Sequence, residues 1–194
     1  EDLARLDKEP TAEQYVPGSL RFEGIEYGGV GIRYKGSLGA WMGCTSENSM
    51  RFPLGIGGEK TCPKLSMKVS FNWSSPEGRF FGLKKLVFHA MNQDASLMRE
   101  RMGYWLFRQM DAPAPRAVHV RLRINGVLAG VFLNVEYLDG RFTRNHFADG
   151  EGNLYKEVWP TYSEAQVPTT TESLLAALET NEEEGPSVQQ VLEF

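Results

Sequence analysis

The sequence predicts an α+β domain, an antiparallel sheet with one main helix packed on it. Three observations carry that expectation. Leu65, Met67, Val69 and Phe71 alternate with Ser66, Lys68 and Ser70, the period of a half-buried strand. Residues 117–135 hold two β-rich runs joined by Asn125-Gly126, a pair that favours the positive φ angles of a two-residue hairpin turn. Between these regions the period changes once, to a helical repeat over residues 96–110.

Taken in order, residues 1–18 form a polar lead-in ending at "VPG". "SLRFEGIEYGGVGIRYKGS" predicts two strands with a turn near Gly28-Gly29. A polar, glycine-rich loop runs to Cys62, then the alternating strand, the turn "SSPEGRFFG" and a strand in "LKKLVFHAM". Asp94 can cap the next element, the helix. Its apolar stripe is Met98, Met102, Trp105, Leu106 and Met110, and "DAPAP" ends it because proline cannot continue a helix. After the hairpin, "YLDGRFTRNHFADG" allows a short helix and "GNLYKEVW" a strand. One acidic helix is expected from near Thr171. No internal repeat is visible.

Hydrophobic residues make up 41% and charged residues 24%, the balance of a chain with a packed core. No apolar run approaches the ~20 residues of a membrane span. Net charge is −4, unevenly spread. Residues 171–194 hold six Glu and no Lys, Arg or Asp, so the rest of the chain carries +2. That balance lacks the concentrated basic face of a nucleic-acid binder and suits an anionic small ligand in one pocket. Cys44 and Cys62 bracket the loop. A disulfide there contributes roughly 3 kcal/mol and implies an exported protein, against two free thiols in a reducing compartment. A zinc site is disfavoured, since no CxxC or nearby His pair supplies four ligands.

Familiar catalytic patterns are incomplete. Gly31 and Gly36 have the spacing of a phosphate loop, but Ser37-Leu38 stands where Lys-Ser/Thr is required. "GVGIRY" lacks the third glycine of a dinucleotide fingerprint. There is no GxSxG, HExxH or EF-hand loop, and His89, His119 and His146 are scattered without local partners. Arg33, Lys35, Lys64 and Lys68 remain. They fit a solvated strand face, or a site around a polyphosphate with Glu100, in the first turns of the helix, as the balancing carboxylate. Protein kinases hold phosphates with a strand Lys that is itself held by a helix Glu.

The phrases "YVPGSLRFEG", "VGIRYKGS", "PKLSMKVSF", "GLKKLVFHAMNQDASLMRERMGYWLF", "PAPRAVHVRLRINGVLAGVFLNVEYLDG" and "GNLYK" occur in order over roughly residues 15–156. In this series the chain resembles the CotH family, named for spore coat protein H, whose members are atypical kinase-fold proteins. The resemblance implies a lead-in at 1–18, a kinase-like N-lobe at 19–160, and an acidic, partly helical tail at 161–194 that starts a truncated C-terminal lobe. It implies ATP and Mg2+ as cofactors, phosphoryl transfer to protein Ser/Thr, and an extracellular, cell-surface or coat-associated location. A protein substrate or surface partner is expected, and no nucleic acid or membrane span. Lys35 or Lys68 would contact the phosphates, Arg33 would add positive potential and Glu100 would orient the lysine. Glu136, Tyr137 and Leu138 would form the hinge, with Glu136 and Leu138 among the nucleotide-binding residues. The chain departs from the family pattern in three places. One lysine of a usual pair is replaced in Lys64-Leu65, "SLGAWMGC" replaces a serine-rich turn, and nothing after Lys156 resembles the family's catalytic Asp/Asn stretch. No catalytic residue is therefore assigned. A non-catalytic, adhesin-like cell-surface or coat binding module on the same fold is the alternative, with the segment between the cysteines as its contact loop, and a structural coat component is a third.

Overall fold

The computed structural model describes residues 1–36, 38–48, 56–155 and 178–180. The chain divides into two units, Glu1–Tyr137 and Leu138–Phe194.

The first unit is built on one six-stranded antiparallel sheet. Its strands are β1 (Val16–Phe22), β2 (Ile25–Tyr34), β5 (Met67–Ser70), β6 (Lys85–His89), β7 (Ala117–Ile124) and β8 (Val127–Val135), in the order β1-β2-β5-β6-β8-β7. The expected strands are there, and the Asn125-Gly126 turn joins β7 to β8 with φ of 50° and 82°. The first turn is displaced from the expected Gly28-Gly29. It falls at Glu23-Gly24, where both φ angles are positive, 48° and 80°. Gly28 and Gly29 instead lie inside β2, two residues opposite the single Ser19, so the glycine pair makes a bulge.

The lead-in folds further than its polarity suggests. Helix α1 (Asp2–Lys8) buries Leu6, and a short 3-10 turn spans Pro10–Ala12. The segment between the cysteines is likewise more than a loop. After the short helix α2 (Leu38–Trp41), β3 (Thr45–Asn48) and β4 (Ile56–Lys60) form a separate antiparallel pair. A disulfide joins Cys44 to Cys62, as expected.

Opposed residues on antiparallel strands share a face. Ile32, Val69 and Leu86 lie in one row, and Tyr34, Met67 and Phe88 in another. With Phe132 and Leu65 these make the core, which α1, Trp41 and Cys44 join. Tyr34 and Phe132 are 2% and 0% exposed, so this face is dry.

Helix α3 (Arg99–Gln109) starts three residues later than expected. Asp94 does cap it, but from farther back. Its carboxylate accepts from the Ser96 and Arg99 N–H groups, and Leu97 between them takes a positive φ of 56°. The packing expectation is reversed. Met98, Met102, Trp105, Leu106 and Met110 are all exposed, and no residue of α3 is fully buried. The half-buried side of the helix is Glu100, Gly103, Tyr104 and Arg108. The helix turns Glu100 and Tyr104 inward, where Glu100 meets His89 on the sheet.

In the second unit, α4 (Gly140–His146) is capped by Asp139, which accepts from the Arg141 N–H. Strand β9 (Leu154–Tyr155) pairs with β10 (Leu178–Thr180). The acidic helix expected from Thr171 therefore does not run through 178–180, where strand pairing overrides helix propensity. The rest of that expected helix lies outside the described residues.

Candidate functional site

The face of the sheet opposite the core is where the cations gather. Arg33, Lys68 and Val87 form one cross-strand row, and Gly31, Ser70 and Lys85 the next. His89 opposes Leu133, which opposes His119. Strand alternation thus puts Arg33, Lys68, Lys85 and His89 on one face. Lys35 lies just past β2, its N–H donating to Ser66 O at 2.9 Å and extending the pairing.

Helix α3 brings a carboxylate to this face. Glu100 Oε1 lies 2.6 Å from His89 Nδ1, and His89 Nε2 lies 3.2 Å from Lys35 Nζ. Tyr104, one turn along the helix from Glu100, donates its hydroxyl to the same oxygen at 2.6 Å. The i, i+4 spacing places both on one helix face. Burial pushes the Glu100 carboxyl up. The hydrogen bonds from His89 and Tyr104, with the charges of His89 and Lys35, more than offset this and hold it below the ordinary glutamate range. Burial and the neighbouring Glu100 carboxylate push the Tyr104 phenol well above its ordinary value.

A second group surrounds Tyr137. Lys68 Nζ donates to its hydroxyl at 2.9 Å and Lys85 Nζ at 3.4 Å. Both ammoniums also stand over the ring, 4.5 Å and 4.7 Å from its centroid. The structure thus divides the two candidate lysines: Lys35 belongs with His89 and Glu100, Lys68 with Lys85 and Tyr137.

The remaining candidates belong to neither group. Arg33 forms an ion pair with Glu13 and stands 5.4 Å from the centroid of the Tyr15 ring. Burial lowers the Arg33 pKa, but Tyr15 and Glu13 more than compensate, and its charge is secure. Glu136 is gripped by Arg116: the guanidinium reaches its two oxygens at 2.7 and 3.1 Å, and the Glu136 N–H donates to Arg116 O at 2.8 Å. Leu138 is half-buried at the start of the second unit. Lys64 is separate from the cationic face, donating to Val131 O at 2.6 Å with its ammonium over the Phe132 ring, and burial lowers its pKa. Asp139 accepts from the Arg141 N–H in the first turn of α4, and Asp149 from the Glu151 N–H.

Sequence reasoning passed over His89, Lys85 and Tyr104. The signal for the first two was the alternation of "KLVFH", which puts residues 85, 87 and 89 on the non-core face. For Tyr104 it was the spacing of four from Glu100.

The sequence itself completes the placement. A family model described as "CotH kinase protein" matches residues 32–190, most of the chain and all the clustered site residues. The chain belongs to the CotH kinase protein family. A curated CotH relative, the "Inner spore coat protein H-like protein" of Bacillus subtilis (strain 168), is 40% identical over 73 residues, which cover 38% of this chain and 22% of that protein. The match thus spans about a fifth of the relative's length. The cationic sheet face is a feature of a CotH chain. Among its described residues no group of three or more His, Cys, Asp or Glu is arranged to hold a metal ion. Among them, too, no helix is long and apolar enough to cross a membrane.

Proposed function

We propose that this chain binds the polyphosphate of ATP on the polar sheet face, as the nucleotide-gripping part of a protein kinase that acts on coat or surface proteins. The observation that carries the reading is the line Lys35–His89–Glu100, a strand-end lysine connected to a helix carboxylate across the sheet face. Lysine and glutamate in that relation hold a phosphate-binding ammonium in place in protein kinases. Lys68 and Lys85 add charge around Tyr137, and Arg33 adds potential from the edge. Residues 19–160 act as the N-lobe in this reading, with the Glu136–Leu138 segment as its hinge to the adenine. Lys35, Lys68 and Lys85 suit a triphosphate. They do not suit Mg2+, and Glu100 is already engaged by His89 and Tyr104, so the described residues supply the anion site and no step is assigned to the metal. The spore-coat name of the relative supports a coat-associated or extracellular location, which the disulfide also favours.

The test is the melting temperature with and without MgATP. Ligand at about 100 times its Kd stabilises by about 2.7 kcal/mol. Lys35→Met and Lys68→Met, made separately, are expected to reduce that shift. No shift in the unsubstituted chain rejects nucleotide binding, and full retention by both variants rejects the lysine assignment.

A binding-module reading has its own support in the exposed apolar stripe of α3, from Met98 to Met110. Exposed patches of this kind mark protein contacts. Capture of a coat protein that survives Lys35→Met and fails with Trp105→Ala favours this second reading.

A further inference from the structure

Arg33 and Gly36, near the end of β2, meet the same carboxylate. Glu13 pairs with Arg33 through Nη1 and Oε2, and its other oxygen, Oε1, accepts from the Gly36 N–H at 3.4 Å. A guanidinium beside a backbone N–H is an anion site, and it holds a carboxylate or a phosphate through the same donors. The fit to the carboxylate is incomplete. A separation of 3.4 Å is long for an N–H···O bond. Arg33 Nη1 also donates to Tyr34 O at 3.2 Å, while Arg33 Nε is buried and has no hydrogen-bond partner among the described residues. A buried donor without an acceptor is rare in a folded chain. A carboxylate brings two oxygens to Nη1, Nε and the Gly36 N–H, whereas a phosphate group brings three.

Glu13 is the replaceable member of this group. Its side chain is 40% exposed against 13% for Arg33, so the carboxylate can leave into water while the guanidinium stays. Its backbone is left-handed, with φ 54° and ψ 23°, a conformation that a residue with a Cβ keeps only where its surroundings hold it. The lead-in that carries Glu13 is anchored without it. Leu6 and Pro10 are buried, and Asp7 accepts from the Tyr34 hydroxyl at 2.6 Å and from Lys60 Nζ at 2.9 Å. We propose that Arg33 and the Gly36 N–H form a phosphate site, and that Glu13 stands in it as an internal competitor which the phosphate of a ligand displaces. The site borders the cationic face, since Arg33 opposes Lys68 across β2 and β5. The inference rests on the proposed function for its ligand, the triphosphate of a nucleotide. Phosphate from another source would meet the same donors.

The test is equilibrium affinity of the full chain, at fixed ionic strength, for two probes: MgATP and inorganic tripolyphosphate. Glu13→Gln keeps the shape of the side chain and removes its charge. It is expected to tighten both probes about threefold to fivefold, the order set by a part-exposed ion pair. Glu9→Gln, which removes an exposed carboxylate of the same lead-in, makes the same change in net charge and should leave both affinities unchanged. The increase from Glu13→Gln should vanish in an Arg33→Gln background. Where that background does not fold, Arg33→Lys keeps the charge beside Tyr15 and should still shrink the increase. Unchanged or weaker binding by Glu13→Gln overturns the competitor, and the proposed function survives if MgATP binds. An increase shared by Glu9→Gln reports overall charge and also overturns it. Tripolyphosphate binding with the expected increase, without MgATP binding, supports the phosphate site and overturns the nucleotide reading. Binding of neither probe to any variant overturns both.

Discussion

Glu100 receives two hydrogen bonds of 2.6 Å on one oxygen, from His89 and Tyr104, and its carboxyl is held below the ordinary range. A carboxylate with a depressed folded pKa stabilises the fold above its unfolded value, about 4.3, and loses that contribution as pH falls through the folded one. The melting-temperature gap between the unsubstituted chain and Glu100→Gln should therefore narrow from about pH 7 to about pH 3. A constant gap rules out an ionic role for Glu100. Tyr34 and Tyr104 have the opposite sign. Burial, with the neighbouring Asp7 or Glu100 carboxylate, raises each phenol. Their stabilisation is complete below about pH 10 and is lost as pH rises through the raised values. Alkaline melts of Tyr104→Phe should show a shallower decline than those of the unsubstituted chain. At neutral pH the same variant should lose about 2 kcal/mol, the contribution of a hydrogen bond to a charged group.

The elements divide between those the sequence announces and those decided by tertiary context. Asn125-Gly126 has one good use, a two-residue hairpin turn, and it is used so. Gly28-Gly29 has two uses, turn or bulge, and the neighbouring Glu23-Gly24 takes the turn although a glutamate at positive φ is unusual. The period of α3 identifies a helix but not which of its sides meets the sheet. That depends on the face it lands on, which carries Lys35 and His89, so Glu100 and Tyr104 turn inward. The lysines and Glu100 were legible as candidates for this reason, while His89 required knowing that α3 reaches β6. Two stability measurements belong to these elements. Trp105→Gln, on the exposed side of α3, should change stability by no more than about 0.5 kcal/mol, against about 3–5 kcal/mol for Phe132→Ala in the core. A large loss at Trp105 would show that the apolar side is covered in solution. Reduction of the Cys44–Cys62 disulfide should destabilise by about 3 kcal/mol, since it closes a segment with a sequence separation of 18 whose Cys44 end joins the core. An unchanged melt in reductant would contradict this.

At the scale of the whole molecule, charge and packing are distributed differently along the chain. The buried core cluster runs from Leu6 to Phe132, all within the first unit, and the cationic face is the reverse side of the same sheet. The net charge of −4 comes from the other end of the sequence, where residues 171–194 contribute −6. Negative charge elsewhere in the same chain lowers the local concentration of an anionic ligand at a positive site, and salt suppresses the effect. Replacing Glu172, Glu179, Glu182, Glu183, Glu184 and Glu193 by Gln converts the net charge from −4 to +2 without altering any residue of the sheet face. MgATP should then associate several-fold faster at low salt. The difference should vanish near 1 M salt, where the Debye length falls to about 3 Å. Stopped-flow association across a salt series measures both. Equal rates at low salt would mean that the acidic end exerts no field at the site. A difference that persisted at high salt would mean that the substitutions act through contact rather than through charge.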